Sequence, residues 1–164
     1  MAQKGNTNPL IIIGVDHSKL AEEALKYYIK HIHRKNYRIL LVHVIELPDM
    51  THARQAYLSP YALSELWNEE LVKSKTLEEK LIAILAESDI TDVKMRAEGG
   101  LKPGQVLCSV AVEEKAVMIV MGTRGMGKLR RTILGSVSDF VVHHAACPVV
   151  VCRQAKEEES EMEN

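Results

Sequence analysis

The chain has 164 residues, of which 46% are hydrophobic and 26% charged, and its formal net charge at pH 7 is −1. This balance is typical of a single globular domain with a well-covered core, and it excludes a largely disordered chain. The charge gives no general attraction to nucleic acid or to an anionic membrane, so we expect neither as a partner. No apolar run approaches the roughly 18 residues that span a bilayer. Residues 1–8 are polar, unlike a secretion signal.

The predicted elements of the first half of the chain alternate between strand and helix. Residues 10–15 form a continuous apolar run, which predicts a parallel strand covered on both faces. Ser18 is placed to cap a following helix, and residues 38–45 repeat the buried-strand pattern. A loop over residues 46–60 leads to a long amphipathic helix predicted over residues 61–87.

The second half continues this alternation. Strands are predicted at residues 93–97, 117–121 and 148–152, and helices at residues 103–115 and 136–145. The strand at 93–97 is the weakest of these, ends before Gly99 and Gly100, and is expected at or near a sheet edge. We predict disorder for residues 1–8 and for the acidic tail 154–164, which leaves one domain over residues 9–153.

The β-α-β-α-β-α-β-α-β order, without an internal repeat, predicts an α/β fold. The expected architecture is a single-domain, three-layer αβα sandwich around a five-stranded parallel sheet with right-handed crossovers. Ligands bind such sheets beyond the carboxyl ends of the strands, where the winding direction reverses. Residues 14–17 and 122–127, which end the first and fourth predicted strands, are therefore expected to form a binding crevice.

Three cysteines, Cys108, Cys147 and Cys152, form no CxxC pair and are odd in number, unlike a disulfide framework. Their neighbours are apolar, so we interpret them as buried free thiols. Free thiols suit a reducing compartment, and we expect a cytoplasmic protein.

The segment from Gly122 to Ser136 carries the strongest chemical signal. Gly135 and Ser136 open a predicted helix, whose free N–H groups and dipole favour an anion. The backbone can approach a ligand closely, and adopt positive φ where needed, at Gly122, Gly125, Gly127 and Gly135. Four cations without an intervening acid lie between them: Arg124, Lys128, Arg130 and Arg131. The alternative is a solvated basic loop in which Ser136 simply caps the helix, with Asp139 three residues on.

Two better-known phosphate motifs do not fit this segment. The GxGxxG pattern fails because Lys128, Leu129 and Arg130 follow Gly127. A Walker A motif would run from Gly122 to Gly127 and Lys128, but Leu129 stands where the motif has the hydroxyl that binds Mg²⁺.

A third pattern is complete, Gly122-x2-Gly125-x9-Gly135-Ser136. With it the chain resembles the universal stress protein family, in particular its ATP-binding branch, from about Asn8 to Arg153. The other segments that carry the resemblance are, in chain order, Val15–Ser18, Leu41–Ile45, Val120–Gly125, Leu134–Val137 and Cys147–Val151. The resemblance implies a Rossmann-like sheet of the adenine nucleotide alpha hydrolase type, with strand order 3-2-1-4-5.

The resemblance also implies a nucleotide site. The glycine-rich loop would wrap the ribose and phosphates, with backbone N–H groups and the Ser136 hydroxyl as donors. Asp16 would lie near the ribose or near Mg²⁺ on the phosphates, unless it only ends a strand; the protein alone is expected to supply no metal site. Val44 would meet the adenine, with Val15 and Met121 as apolar walls. The full set implied at the nucleotide is Val15, Asp16, Val44, Met121, Gly122, Arg124, Gly125, Gly135, Ser136 and Val137, with ATP and Mg²⁺ as the implied cofactors.

The histidines allow simpler interpretations. His43 lies inside a predicted buried strand and is expected to be a hydrogen-bonded core residue, whereas His17, beside Asp16, is a candidate ligand contact. His143 and His144 suit the dipole at a helix end, which accounts for them without a metal.

The last predicted strand is apolar and is expected at a sheet edge, where its backbone can pair with another chain. Members of the family that the chain resembles join this edge to its copy across a two-fold axis. A homodimer through Val149–Cys152 is therefore expected.

Three functions compete at this point. The favoured one is an ATP-binding regulatory module of the stress response with slow or absent hydrolysis, because the phosphate loop shows no evident general base and no catalytic residue is predicted. A slow Mg²⁺-dependent ATP hydrolase that uses Asp16 and a nucleotide-free interaction protein are the alternatives. The preference among ATP, ADP, AMP and a cyclic nucleotide stays open.

Overall fold

The computed structural model describes residues 8–46, 59–123 and 134–153. Strands and helices alternate along these ranges, as predicted. In chain order they are β1 (Leu10–Val15), α1 (Lys19–His31), β2 (Arg38–Glu46), α2 (Pro60–Ala86), β3 (Val93–Gly100), α3 (Pro103–Glu113), β4 (Met118–Gly122), α4 (Ser136–His144) and β5 (Val149–Cys152). Glu46 therefore still belongs to a strand and Pro60 already to a helix. The interior of the predicted 46–60 loop and nearly all of both predicted disordered ends lie outside the described residues.

The five strands form one parallel sheet with the order β3-β2-β1-β4-β5. This confirms the predicted fold class and strand order, including the edge positions of β3 and β5. The chain winds outward from β1 through β2 to β3 and then returns to the other side of β1 as β4. The winding direction consequently reverses between β1 and β4, which places a crevice at their carboxyl ends.

Helices cover both faces of the sheet. On one face, which we call the α1/α2 side, Ile11 and Ile13 pack with residues such as Leu81. On the opposite α3/α4 side, Ile12 packs with residues such as Leu107. Because both faces are covered, consecutive residues of β1 are fully buried, which explains the continuous apolar run in the sequence. No helix within the described ranges combines the length and apolar character that crossing a membrane requires.

The helices begin in two different ways. Ser18 caps α1 as predicted, since its Oγ accepts a hydrogen bond from the Ala21 N–H at 3.2 Å. Ser59 caps α2 in the same manner. The alternative that made Ser136 the cap of α4 is wrong, because Gly135 occupies the cap position and has no side chain to accept a hydrogen bond.

Helix α3 ends in a left-handed turn. Lys115 has φ of 53°, and its N–H donates to the carbonyl oxygen of Val112 at 3.2 Å. The Ala116 N–H then donates to the carbonyl oxygen of Ala111 at 2.9 Å. These two hydrogen bonds form a Schellman motif, whose left-handed position is usually a glycine.

The three cysteines are free but half-buried, so the expectation of fully buried thiols is only partly met. Burial raises the pKa of the Cys108, Cys147 and Cys152 thiols, and the neighbouring Cys147 raises the pKa of Cys108 further. The protonated thiol is therefore favoured at each position.

Candidate functional site

A cleft of about 610 Å³ opens at the carboxyl ends of β1, β2 and β4, beside the reversal of the winding direction. Its walls come from these strand ends, from α2 and α3, and from the first turn of α4. This is the position at which the sequence predicts a crevice.

Most residues implied at the nucleotide by the sequence lie together at this cleft. The described ones are all among its lining residues: Val15, Asp16, Val44, Met121, Gly122, Gly135, Ser136 and Val137. Arg124 and Gly125 lie outside the described residues. The structure thus groups these residues in space, while their contact with a ligand stays a prediction.

The apolar lining is divided between the two sides of the sheet. Val44 and Met121 pack on the α3/α4 side together with Val42 and Leu107, which gives one continuous apolar wall. Val15 belongs to the core cluster of the α1/α2 side and approaches the cleft from the opposite face. The three residues expected to surround an adenine therefore do not form a single wall.

Gly122 ends β4 at a point where the backbone of α1 comes very close. A Cβ atom at this position would lie 3.0 Å from the carbonyl oxygen of Leu20. None of the described glycines has positive φ, so the expectation of left-handed backbone is not met at Gly122 or Gly135. The structural reason for glycine at 122 is close packing of β4 against the start of α1.

The first turn of α4 forms a polar end of the cleft. Because the N-cap residue is Gly135, it has no side chain to accept a hydrogen bond from the N–H groups of this turn. Ser138 does not cap the turn either: its Oγ donates to the carbonyl oxygens of Thr123 at 2.8 Å and of Gly135 at 3.0 Å. Backbone amides at the start of a helix, left without a capping side chain, favour an anion.

Helices α3 and α4 pack closely beside this polar end. A Cβ atom at Gly104 would lie 2.9 Å from Cδ1 and 3.0 Å from Cβ of Phe140. The neighbouring Pro103 lines the cleft, and Lys102, the N-cap of α3, makes no side-chain capping hydrogen bond. Two helix N-termini without side-chain caps therefore adjoin the cleft.

Asp16 forms the turn that the sequence allowed it, and it also lies at the cleft, where its contact with a nucleotide stays a prediction. Its Oδ1 accepts a hydrogen bond from the Ser18 N–H at 2.8 Å, which forms the turn between β1 and α1. The residue also lines the cleft. The turn fixes one carboxylate oxygen and leaves the other outside this hydrogen bond.

His43 confirms the expectation of a hydrogen-bonded core histidine and also lines the cleft. Its side chain is 6% exposed, and its Nδ1 lies 3.0 Å from Oγ of Ser74 in α2. Burial lowers the pKa of His43, the nearby His17 lowers it further, and Asp16 and Glu70 oppose that shift. The imidazole is therefore neutral at pH 7.

Sequence reasoning did not identify the contribution of α2 to the cleft. Glu70 lines it, and its Oε1 forms an ion pair with Lys73 at 2.6 Å. One helical turn later, Ser74 is 4% exposed and shares the inward face with Leu77. The sequence signal that could have revealed this contribution is Ser74, a polar residue at an inward position of the predicted amphipathic helix.

The histidines at the end of α4 make local hydrogen bonds. Nδ1 of His143 bonds to the carbonyl oxygen of Asp139, and Nδ1 of His144 to that of Phe140, each at 2.8 Å. Over the described part of the chain, no three His, Cys, Asp or Glu side chains are grouped so as to hold a metal ion.

Comparison with known proteins finds relatives in one family, the universal stress proteins. A sequence profile of the universal stress protein family matches residues 9–153. A protein of Staphylococcus aureus (strain USA300) that is named as a universal stress protein is 30% identical over 148 residues, which cover 87% of this chain and 82% of the relative.

Solved structures of similar fold come from several sources. The universal stress protein UspA from Lactobacillus plantarum has a TM-score of 0.75 and 24% identity, covering 89% of this chain and 98% of that one. An Arabidopsis thaliana family protein with AMP bound has a TM-score of 0.62 and 22% identity, with 94% and 97% covered. A universal stress protein in complex with cAMP has a TM-score of 0.65 and 16% identity, with 90% and 98% covered.

Proposed function

The chain belongs to the universal stress protein family, and from this premise we propose that its cleft binds an adenine nucleotide, with ATP as the ligand. The observation that carries the proposal is the presence, in one cleft, of an apolar wall and an uncapped helix start. Proteins of the same fold that were solved with AMP and with cAMP support this ligand class. The proposed role is a nucleotide-dependent regulatory module of the stress response, with slow or absent hydrolysis.

The apolar wall suits the base. Val44 is half-buried and retains surface that faces the cleft beside Met121 and Leu107. Each Å² of apolar surface that the base covers contributes roughly 25 cal/mol, before the costs of association. The backbone N–H groups of residues 136–138, at the other wall, suit the phosphates.

The charged residues that line the cleft favour one orientation of the bound nucleotide. Among the described lining residues the carboxylates are Asp16, Glu46 and Glu70, and none is a lysine or arginine. These carboxylates repel phosphate, so the phosphates are favoured at the start of α4 and the nucleoside nearer the acidic residues.

Mg²⁺ fits this proposal as part of a Mg–ATP complex. The ion usually binds through substrate phosphates with one or two carboxylates and retained waters. Asp16 is the candidate carboxylate, since the turn to Ser18 uses only its Oδ1. In this arrangement the ion would offset the repulsion between the Asp16 carboxylate and the phosphates favoured at the start of α4.

We also propose that the protein forms a homodimer through β5. This strand pairs with β4 on one side and with no other strand of the described chain, and its four residues are half-buried. The opposite edge strand, β3, carries Lys94, Arg96 and Glu98, and such charges discourage pairing. Gel filtration with light scattering is expected to show a dimer at tens of micromolar, and a strict monomer would refute this part of the proposal.

Co-purified ligand tests the proposed function directly. The purified protein is heat-denatured, and the supernatant is separated by anion-exchange chromatography beside nucleotide standards. An adenine nucleotide in near-stoichiometric amount supports the proposal. A blank, followed by no calorimetric signal with added ATP, ADP or AMP, would favour a nucleotide-free interaction protein instead.

Hydrolysis is measured separately. We expect phosphate release from Mg–ATP no faster than in a mock preparation. Steady release that Asp16→Asn abolishes would overturn the non-catalytic part of the proposal and favour a slow hydrolase.

A further inference from the structure

His43 is a polar residue in an otherwise apolar buried strand. With Ser74 and Ser138 it makes up the set of buried polar side chains in the described part of the chain. Burying an imidazole is unfavourable unless its nitrogens find hydrogen-bond partners. Ser74 satisfies Nδ1 at 3.0 Å, which leaves Nε2 to be explained.

Nε2 of His43 makes no hydrogen bond to any described residue. It is also not an enclosed atom left without a partner, because Arg38 Nε alone is of that kind in the described chain. Since His43 lines the cleft, Nε2 is the imidazole nitrogen that a ligand there can meet. Because the two imidazole nitrogens point to nearly opposite sides of the ring, the bond to Ser74 directs Nε2 away from α2.

The surroundings of His43 select the kind of group that Nε2 can meet. Asp16 from the end of β1, Glu46 from the end of β2 and Glu70 from α2 all line the cleft, and the His17 ring meets the His43 ring edge-on with centroids 5.4 Å apart. The carboxylates disfavour a phosphate here and favour hydrogen-bond donors. A neutral imidazole nitrogen either donates or accepts, and a sugar hydroxyl can complement both.

We propose that His43 is a specificity-determining residue that hydrogen-bonds a ribose hydroxyl through Nε2, and that Ser74 is the positioning residue that presents it. This inference rests on the proposed function, because it assigns one contact of the nucleotide in the same cleft. Ser74 acts only through His43, since its hydroxyl is bonded to Nδ1 and its side chain is buried.

The experiment compares ATP with 2′-deoxy-ATP and 3′-deoxy-ATP by isothermal titration calorimetry. We expect the wild type to bind ATP about two- to tenfold more tightly than at least one analogue, the range for a single neutral hydrogen bond. His43→Asn, whose amide replaces Nδ1 but does not reach the position of Nε2, should bind ATP and that analogue equally. His43→Gln, whose amide reaches the Nε2 position, should keep part of the preference.

Substitutions at Ser74 test the inference independently. Ser74→Ala should reduce the preference for the hydroxyl, and Ser74→Thr, which retains a hydroxyl, should restore it. Ser64→Ala, an exposed serine of the same helix, should leave the preference unchanged. If His43→Asn fails to fold by circular dichroism, the serine variants decide the question.

Two results would overturn the inference while leaving the proposed function intact. One is a wild type that binds ATP and both analogues equally. The other is a preference that persists in folded His43→Asn and Ser74→Ala. A wild type that binds none of ATP, ADP and AMP would instead refute the proposed function, and this inference with it.

Discussion

The hydroxyl of Ser138 donates a 2.8 Å hydrogen bond to the carbonyl oxygen of Thr123 and so joins the first turn of α4 to the residue that follows β4. The Gly135 N–H donates to the same carbonyl oxygen, also at 2.8 Å. Two hydrogen bonds thus converge at the two described ends of the glycine-rich segment and fix the helix start beside the sheet.

Replacing Ser138 should weaken this junction. Ser138→Ala removes one of the two hydrogen bonds to Thr123 in a site that is 1% exposed, so the free energy of unfolding should fall by about 1 kcal/mol. Chemical denaturation measures the change. Ser64→Ala removes an exposed local hydrogen bond and should change stability much less. Equal effects of the two substitutions would contradict the role given to Ser138.

Gly104 should be intolerant of even one methyl group. The added Cβ of Gly104→Ala would lie 2.9–3.0 Å from Phe140 atoms, including its Cβ, so α4 would have to move. We expect a loss of about 1–3 kcal/mol in the free energy of unfolding. Gln105→Ala, at an exposed neighbouring position in α3, is the control. A Gly104→Ala protein as stable as the control would refute the close helix contact.

Lys115 offers a stabilising substitution. It holds φ of 53° at the end of α3, a conformation that is unfavourable for a residue with a Cβ and natural for glycine. Lys115→Gly should raise the free energy of unfolding by about 1 kcal/mol. The same change at Lys75, in the exposed interior of α2, should lower it by a similar amount. A destabilised Lys115→Gly protein would contradict the assigned turn.

His33 should make folding sensitive to mild acid. Its Nδ1 lies 3.0 Å from the Oη of the fully buried Tyr28, and burial lowers the pKa of His33. The unfolded chain therefore binds more protons than the folded one as pH falls below about 6.5, so stability is retained above that pH and lost below it.

Denaturant titrations at pH 7.5 and pH 5 test this dependence. His33→Asn, which can preserve the hydrogen bond to Tyr28 without titrating, should lose less stability between these two values than the wild type. His31→Asn, at an exposed position near the end of α1, should behave like the wild type. Part of the acid sensitivity should remain in every variant, because burial also lowers the pKa of His43. Identical losses in wild type and His33→Asn would rule out the assigned role.

The sheet could be predicted from sequence because its central strands are covered on both faces and are therefore continuously apolar. The end of β3 was predicted wrongly. The sequence predicts a stop before Gly99, yet the strand continues, with Gly99 beside Ile45 and Gly100 beside Glu46. A Cβ at Gly100 would lie 2.6 Å from Cγ2 of Val106. The glycine thus permits the close approach of α3 and does not end the strand.

Only part of the candidate site could be predicted from the sequence. Residues at strand ends and at the start of α4 follow from local motifs, so Asp16 and Ser136 could be placed at the cleft from sequence. The cleft position of Glu70 and the place of Ser74 beside His43 could not be predicted, because both depend on how α2 packs against the sheet. The hydrogen bond between His43 and Ser74 joins residues 31 positions apart, and no local pattern specifies that pairing.

Calorimetric titration of ATP into the wild type, Gly135→Val and Gly99→Val tests the central claim most directly. Gly135 lines the cleft with φ −67° and ψ 157°, angles open to any residue, so valine should leave the fold intact while its side chain obstructs the phosphates. Gly99 is exposed in β3 and is not part of the cleft lining. We predict one ATP per chain for the wild type and Gly99→Val, and affinity at least about tenfold weaker, or about 1.4 kcal/mol, for Gly135→Val. A folded Gly135→Val protein that binds ATP as tightly as the wild type would contradict the account.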